Sequence, residues 1–350
     1  MTDKLIISDT HYHNFGRFST TDSDGVNSRL KQIVAATQEA FDAAKAAGVK
    51  TVLHAGDCFH VRGKISPTVL NPVLELYKQA VADGLDVYMI AGNHDLESRE
   101  SSELTNTASA LSAVGVTVIN ETTIVEDIKC VFVPWHSSLS ELKQQLSDSA
   151  AKINAEDYTA VIHAPMNGVI AGIPDHGLEA SELAKFGYKR IYCGHYHNHI
   201  DFGSVVSIGS LTHQTFGDIH SKAGYVIEQN DKLTHFETSA PKFVDLDVEA
   251  PETQDEFEDA VRGNFVRARL EDATESDLAT LRSELEKAGA LGSTVTNVPT
   301  KSNTTARTGV STAKSGATIE SSVSAWMKSR GFAQHSAEIE KAAINILSEI

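Results

Sequence analysis

Leu5-Ile6-Ile7-Ser8-Asp9-Thr10-His11 opens the chain with three apolar residues and passes at once into a polar run. A short apolar run ending in an acid and an imidazole reads as a buried strand with chemistry at its carboxyl end, where parallel α/β sheets place their sites. The same figure recurs four times. Thr51-Val52-Leu53 leads to Gly56-Asp57-Cys58-Phe59-His60, and Val87-Tyr88-Met89-Ile90 to Gly92-Asn93-His94-Asp95. Ala160-Val161-Ile162 ends in His163-Ala164-Pro165, and Arg190-Ile191-Tyr192 in Gly194-His195-Tyr196-His197.

Between the first two runs, Leu30, Ile33, Val34, Phe41 and Ala44 follow helical spacing. Repeated strand–helix–strand units predict parallel strands with helices on the sheet faces. Val205-Val206-Ser207-Ile208, Gly224-Tyr225-Val226-Ile227 and Leu233-Thr234-His235-Phe236 follow with short connections and read as hairpin-type strands of a second sheet. The predicted class is α/β, a two-layer β sandwich flanked by helices over residues 1–242.

From Phe243 the texture changes. Strand-like 243–248, helical 252–262, strand-like 265–270, helical 276–288 and strand-like 293–298 form a regular β-α-β-α-β run. This is too small for a main domain, so 243–300 is expected to be a small α/β cap. Residues 301–322 are mostly Ser, Thr, Gly and Ala, the composition of a flexible linker. Residues 323–350 have the pattern of a helical segment.

No apolar run approaches the roughly 18 residues needed to span a bilayer, so no membrane association is expected. The N-terminus offers no signal-peptide pattern. Three scattered cysteines, Cys58, Cys130 and Cys193, fit a reducing interior, and a cytoplasmic location is expected. The net charge of -17 argues against broad electrostatic binding to nucleic acid, which normally needs a basic surface.

The strand-end residues suit one another chemically. Asp9 and His11 lie two apart, as do His195 and His197, so in extended backbone each pair points to one side. Two carboxylates, one amide oxygen and four imidazoles (Asp9, His11, Asp57, Asn93, His163, His195, His197) make a mixed N/O set suited to Mn, Fe or Zn. The absence of thiolate argues against a structural zinc site. Seven ligands can hold two ions if one carboxylate bridges them, and such a pair can activate water and neutralise a phosphate. The glycines before Asp57, Asn93 and His195 are expected to let the backbone turn tightly.

The order D-x-H, G-D-x-x-H, G-N-H-D, H, G-H-x-H resembles the calcineurin-like metallophosphoesterase superfamily, over about residues 4–215. The resemblance implies that Asp9, His11 and His197 bind one metal, that Asn93, His163 and His195 bind the other, and that Asp57 bridges them. His94 is similar to the family's non-ligand histidine, which contacts the phosphate and protonates the leaving oxygen. Asp95 is then expected to orient His94.

Gly56-Asp57-Cys58-Phe59-His60, followed by Pro67, is similar to the G-D-x-F-H of SbcD-type DNA repair nucleases, where phosphatases of this class carry G-D-x-x-D. That resemblance implies a manganese-dependent DNA exo- or endonuclease, with His60 helping to present the DNA. It also implies a cap over the site and a terminal segment docking on a coiled-coil ATPase of the SbcC type. A homodimer is left open. The rival readings are a stand-alone phosphatase acting on a small nucleotide or phosphoprotein, which the acidity favours, and a silent scaffold, which the intact ligand set disfavours.

Around the motifs, His213 follows the loop Gly209-Ser210-Leu211-Thr212 and is a candidate substrate contact, as is Arg17 for a backbone phosphate. His13 and His199 read as solvent-facing neighbours. His54, Cys58 and Cys193 read as buried core residues.

Overall fold

The computed structural model describes residues 2–98, 106–172, 176–247 and 251–299. The expected linker at 301–322 and helical segment at 323–350 lie outside them. Met1–Asn297 form one compact unit.

The opening run is a strand, β1 (Lys4–Ile7), and its side chains divide between two cores. Leu5 and Ile7 pack with α1 (Ser28–Ala46), while Ile6 points the other way, onto a second sheet. The period-two split repeats in β2 (Thr51–His54) and β3 (Asp86–Ile90) of the first sheet, and in β7 (Thr159–His163) and β8 (Arg190–Gly194) of the second. Both faces of these strands are buried, which is why they read as continuous apolar runs rather than alternating ones.

The remaining elements are α2 (Pro67–Ala82), β4 (Thr117–Ile119), β5 (Thr123–Val125), β6 (Cys130–Val133), α3 (Leu139–Ala150), α4 (Ala180–Leu183), β9 (Ile200–Asp201), β10 (Val205–Ser207), β11 (Gly224–Gln229) and β12 (Lys232–Glu237). One sheet has the order β12-β11-β1-β2-β3-β4, with β1 to β4 parallel and the β11–β12 hairpin antiparallel at one edge. The other runs β5-β6-β7-β8-β10-β9, parallel through its four central strands. Ile6, Leu53, Ile90, Phe132, Val161, Tyr192, Val206 and Val226 fill the space between them. The two-layer sandwich is the predicted fold. One detail differs, because the hairpin of β11 and β12 extends the first sheet rather than the second.

A third sheet, β13-β14-β15, is built from β13 (Phe243–Asp245), β14 (Phe265–Glu271) and β15 (Gly292–Val298), with α5 (Gln254–Val261) and α6 (Glu275–Lys287) between the strands. Both helices begin with capping boxes, Thr253 with Glu256 and Thr274 with Asp277. Val261, Val266, Leu278, Leu285 and Val295 give this subdomain its own core.

Candidate metal centre

The carboxyl ends of β1, β2, β3, β7 and β8 converge, and their loops are bonded to one another. The Asp9 N–H donates to the Gly56 carbonyl (3.0 Å), His11 to Asp57 (3.0 Å) and Tyr12 to Cys58 (2.8 Å). Asp9, His11, Asp57 and His195 all sit at positive φ, at 50°, 45°, 54° and 110°. For residues with a Cβ this costs on the order of 1–3 kcal/mol each, and such strain collects at functional sites. Of the three glycines, only Gly56 (φ 99°) serves as a turn. A Cβ on Gly92 would strike the Asp57 carboxylate, and one on Gly194 would strike the Ser8 hydroxyl and the Ala55 carbonyl. Those two glycines are needed for close approach.

The seven residues named as ligands lie close together, and His11 is also within reach of His60 and His94. Donor atoms of Asp9, His11 and His197 lie within 4.8 Å of one another, and so do those of Asp57, His163 and His195. The Asp57 Oδ2 stands between the groups, 3.6 Å from His11 Nε2 and 3.3 Å from His163 Nε2. The Asn93 Oδ1 lies 2.8 Å from His195 Nδ1 and 3.2 Å from His163 Nε2, which puts it in the second group.

The imidazoles are fixed by their other nitrogens. His163 Nδ1 donates to the Ala55 carbonyl at 2.7 Å, leaving Nε2 toward Asp57. His197 Nδ1 pairs with Asp218 Oδ1 at 2.8 Å, leaving Nε2 toward His11. His11 Nδ1 lies 3.3 Å from His60 Nδ1. Partners of this kind set the tautomer and basicity of a ligating histidine.

Burial pushes the Asp9 carboxyl up to about 6, helped by the charge of Asp57. Burial also opposes charge on Asp57, yet the facing imidazoles, His163 first, pull it well below the usual carboxylate range. In return, and against the effect of burial, Asp57 raises His163 to about 9, while Asp218 raises His197 to about 9. Burial lowers His195 to about 3. A pocket whose carboxylates favour the charged form of two buried histidines, against the effect of burial, is suited to hold positive charge. Two divalent ions fit this donor set and would displace those protons.

His94 lies beside the ligands. Its N–H donates to Asp57 Oδ1 at 2.8 Å and its Nδ1 to the His60 carbonyl at 2.7 Å. The His60 ring stacks parallel to that of His94, with centroids 5.4 Å apart. The expectation that Asp95 orients His94 is corrected here. The fully buried Asp95 carboxylate accepts the backbone N–H groups of Cys58 (3.2 Å), Phe59 (2.9 Å) and Gly92 (2.9 Å), so it fastens loops, and the His60 carbonyl aims His94.

The two expected substrate contacts are not brought to the cluster. His213 is buried, with Nε2 on the Ser221 carbonyl (3.0 Å) and Nδ1 accepting the Phe243 N–H (3.1 Å), so both ring nitrogens are spent on backbone. The structure gives it a packing role instead. Arg17 donates to Thr294 Oγ1 at 2.7 Å and lies over the Phe18 and Phe216 rings, at the junction with the third sheet. His54 is buried, with both nitrogens engaged by Thr10 and Gly56, and Cys58 and Cys193 are buried, as expected; Cys130 is buried too, and all three cysteines are free. His13 and His199 are not solvent-facing. They are half-buried, His13 against Phe15 and His60 and His199 stacked on His235 at 4.1 Å.

Three neighbours escape sequence reasoning. Asp218 is tied to His197, and its only local signal is a capping-box pattern, Thr215 to Asp218. Arg62 donates from Nε to the Asn93 carbonyl at 2.9 Å, two residues beyond the second motif. Trp135, from the Pro134-Trp135-His136 turn after β6, stacks on His195 at 5.3 Å.

A two-layer sandwich with carboxylates and imidazoles paired at five strand ends defines a metal-dependent phosphoesterase, a hydrolase. The chain belongs to the calcineurin-like phosphoesterase family, whose profile matches residues 4–199. It is 26% identical over 195 residues to Exonuclease subunit 1 of Enterobacteria phage T4, a match covering 54% of this chain and 55% of that protein. The chain therefore spans about half the length of this curated relative. Among solved structures, it is similar to the nuclease MPE of Pseudomonas putida (14% identity, 67% of this chain and 87% of that one, TM-score 0.29). It is also similar to a dimetal phosphatase of Danio rerio (13% identity, 68% and 97%, TM-score 0.38). The family implies two divalent metal ions. Among the described residues no helix is long and apolar enough to cross a membrane.

Proposed function

We propose that this phosphoesterase is a nuclease, hydrolysing DNA phosphodiesters with two manganese ions as the subunit of an SbcCD-like complex in DNA repair and recombination. The observation that carries the reading is the placement of His60, the residue that sets G-D-x-F-H apart from the phosphatase motif, against both His11 and His94. Similarity to a phage protein named as an exonuclease subunit supports it. The mixed N/O donor set is compatible with manganese, as it is with iron or zinc, and manganese follows from the resemblance to SbcD-type nucleases. The apolar segment at 323–350 is the candidate docking element for a coiled-coil ATPase, and the three free buried cysteines fit the cytoplasm.

In this reading Asp9, His11 and His197 would hold one ion, Asn93, His163 and His195 the other, and Asp57 both. When bound, the ions supply an activated water and neutralise charge on the phosphate. The chain's own contribution falls to His94. Its Nδ1–H is committed to His60, so Nε2 is the nitrogen left to give a proton to the departing deoxyribose oxygen. Burial lowers the basicity of His94 in the free protein, and an approaching phosphate anion favours its charged form.

A second reading, a stand-alone phosphatase or phosphodiesterase of small nucleotides or phosphoproteins, is favoured by the net charge of -17. Hydrolysis of linear duplex DNA, cyclic nucleotides and p-nitrophenyl phosphates in Mn²⁺ separates the two. The nuclease reading expects turnover of duplex DNA. Turnover of the small esters with duplex DNA untouched would establish the phosphatase instead.

A further inference from the structure

Between His197 and the third sheet runs a short turn with a function at each end. Asp218 closes it with one oxygen on His197 Nδ1, while the other accepts the N–H groups of Gln214 and Thr215, both at 2.8 Å. Two residues earlier, Phe216 faces away from the site. Its ring packs on Phe243 (centroids 4.9 Å apart) and lies under the Arg267 guanidinium at 4.6 Å, both contacts from the third-sheet subdomain.

A second route starts from the same aromatic cluster. The buried Arg29 lies over the rings of Phe243 and Phe265, at 5.1 and 5.3 Å, and donates to the Gln214 carbonyl at 2.8 Å. Gln214 Nε2 in turn donates to the Asp9 carbonyl at 3.2 Å. Both routes end on Asp9 and His197, ligands of one group. The partners described for Asn93, His163 and His195 come from Ala55, Asp57, Arg62, Trp135, Tyr196 and Asp9, so only the Asp9 carboxylate, which takes the His195 N–H, links them to the second route, and none comes from the turn itself.

We propose that the Thr215–Asp218 turn is a strut that transmits the seating of the α/β subdomain, through Asp218 and His197, to the His11/His197 metal site. Phe216 and Asp218 are then positioning residues for His197. The proposal rests on the two-metal reading of the site. A turn this short, closed at both ends by its own capping box, cannot shift Phe216 without moving Asp218.

Equilibrium Mn²⁺ binding by the full chain against a competing chelator, with metal content by elemental analysis, tests it. Wild type is expected to hold two ions. Asp218→Asn should weaken one site about 10- to 100-fold and leave the other unchanged, the usual effect of removing a ligand's carboxylate partner. Phe216→Ala should weaken the same site about tenfold, and Phe216→Leu, which keeps the packing volume and guards against a folding failure in the alanine variant, should recover part of that loss. Leu281→Ala, at a side chain packed against the subdomain's own core, should lower the melting temperature with two ions still bound. Two full-strength sites in both Phe216 variants, or equal weakening of both sites, would overturn the strut. Loss of both ions in Leu281→Ala would do the same, since it would mean general loosening. Fewer than two ions on wild type would remove the two-metal reading itself, and the strut with it.

Discussion

His94 is held by two hydrogen bonds with different consequences: its backbone N–H fixes Asp57, and its ring is aimed by a carbonyl rather than a carboxylate. Replacing the side chain leaves the first bond in place. His94→Gln is therefore expected to retain two metal ions while turnover falls roughly 10²- to 10⁴-fold, the range for a general acid. Elemental analysis beside single-turnover kinetics checks this, and parallel loss of metal would make His94 a ligand. The seven clustered residues were legible because each closes a buried strand, where side-chain type and position are tightly coupled. Asp218, Arg62 and Trp135 were not, because they lie on turns whose local pattern says nothing of their distant partners. His213 misled for the opposite reason. It borders the site in sequence, but its ring points into the junction with β13.

At the scale of elements, the site depends on loops held open at positive φ, and Asp95 is the clamp between two of them. Its carboxylate takes three backbone N–H groups, and no other acceptor is described for them. Asp95→Ala strands these donors in the core and should cost about 3–5 kcal/mol of stability, with metal lost alongside. Thermal unfolding and metal content would fall together. A variant that melted at the wild-type temperature and lost turnover alone would return Asp95 to a direct catalytic role. The buried strands β1, β2, β3, β7 and β8 were readable as apolar runs, as were the β-α-β-α-β elements after Phe243. β4 and β5 were not, being three residues each and partly exposed, too short for any period to show. α2 carries Pro72 in its interior, which argues against a helix in sequence. The proline that fits the helix start is Pro67, at its first position, whereas Pro72 lies past the first turn and forgoes the bond to the Thr68 carbonyl, a loss the buried Val69, Val73, Leu76 and Tyr77 face outweighs.

On the scale of the whole molecule, the proposed nuclease reading has to reconcile the acidity of the chain with a polyanionic substrate. Residues 301–350 hold six Lys and Arg against four acids, so the first 300 residues carry -19 of the net -17. On the proposed reading, positive charge would come from the metal pair, locally, and from the proposed ATPase partner. Everything rests on a pair of ions bridged by Asp57, and that can be observed directly. Electron paramagnetic resonance of the chelator-stripped protein titrated with Mn²⁺ reports whether two ions share a ligand. The account predicts two Mn²⁺ per chain with an exchange-coupled spectrum, and loss of the coupling together with lowered occupancy in Asp57→Asn. A single uncoupled ion in the wild type, or an unchanged coupled pair in Asp57→Asn, would contradict it.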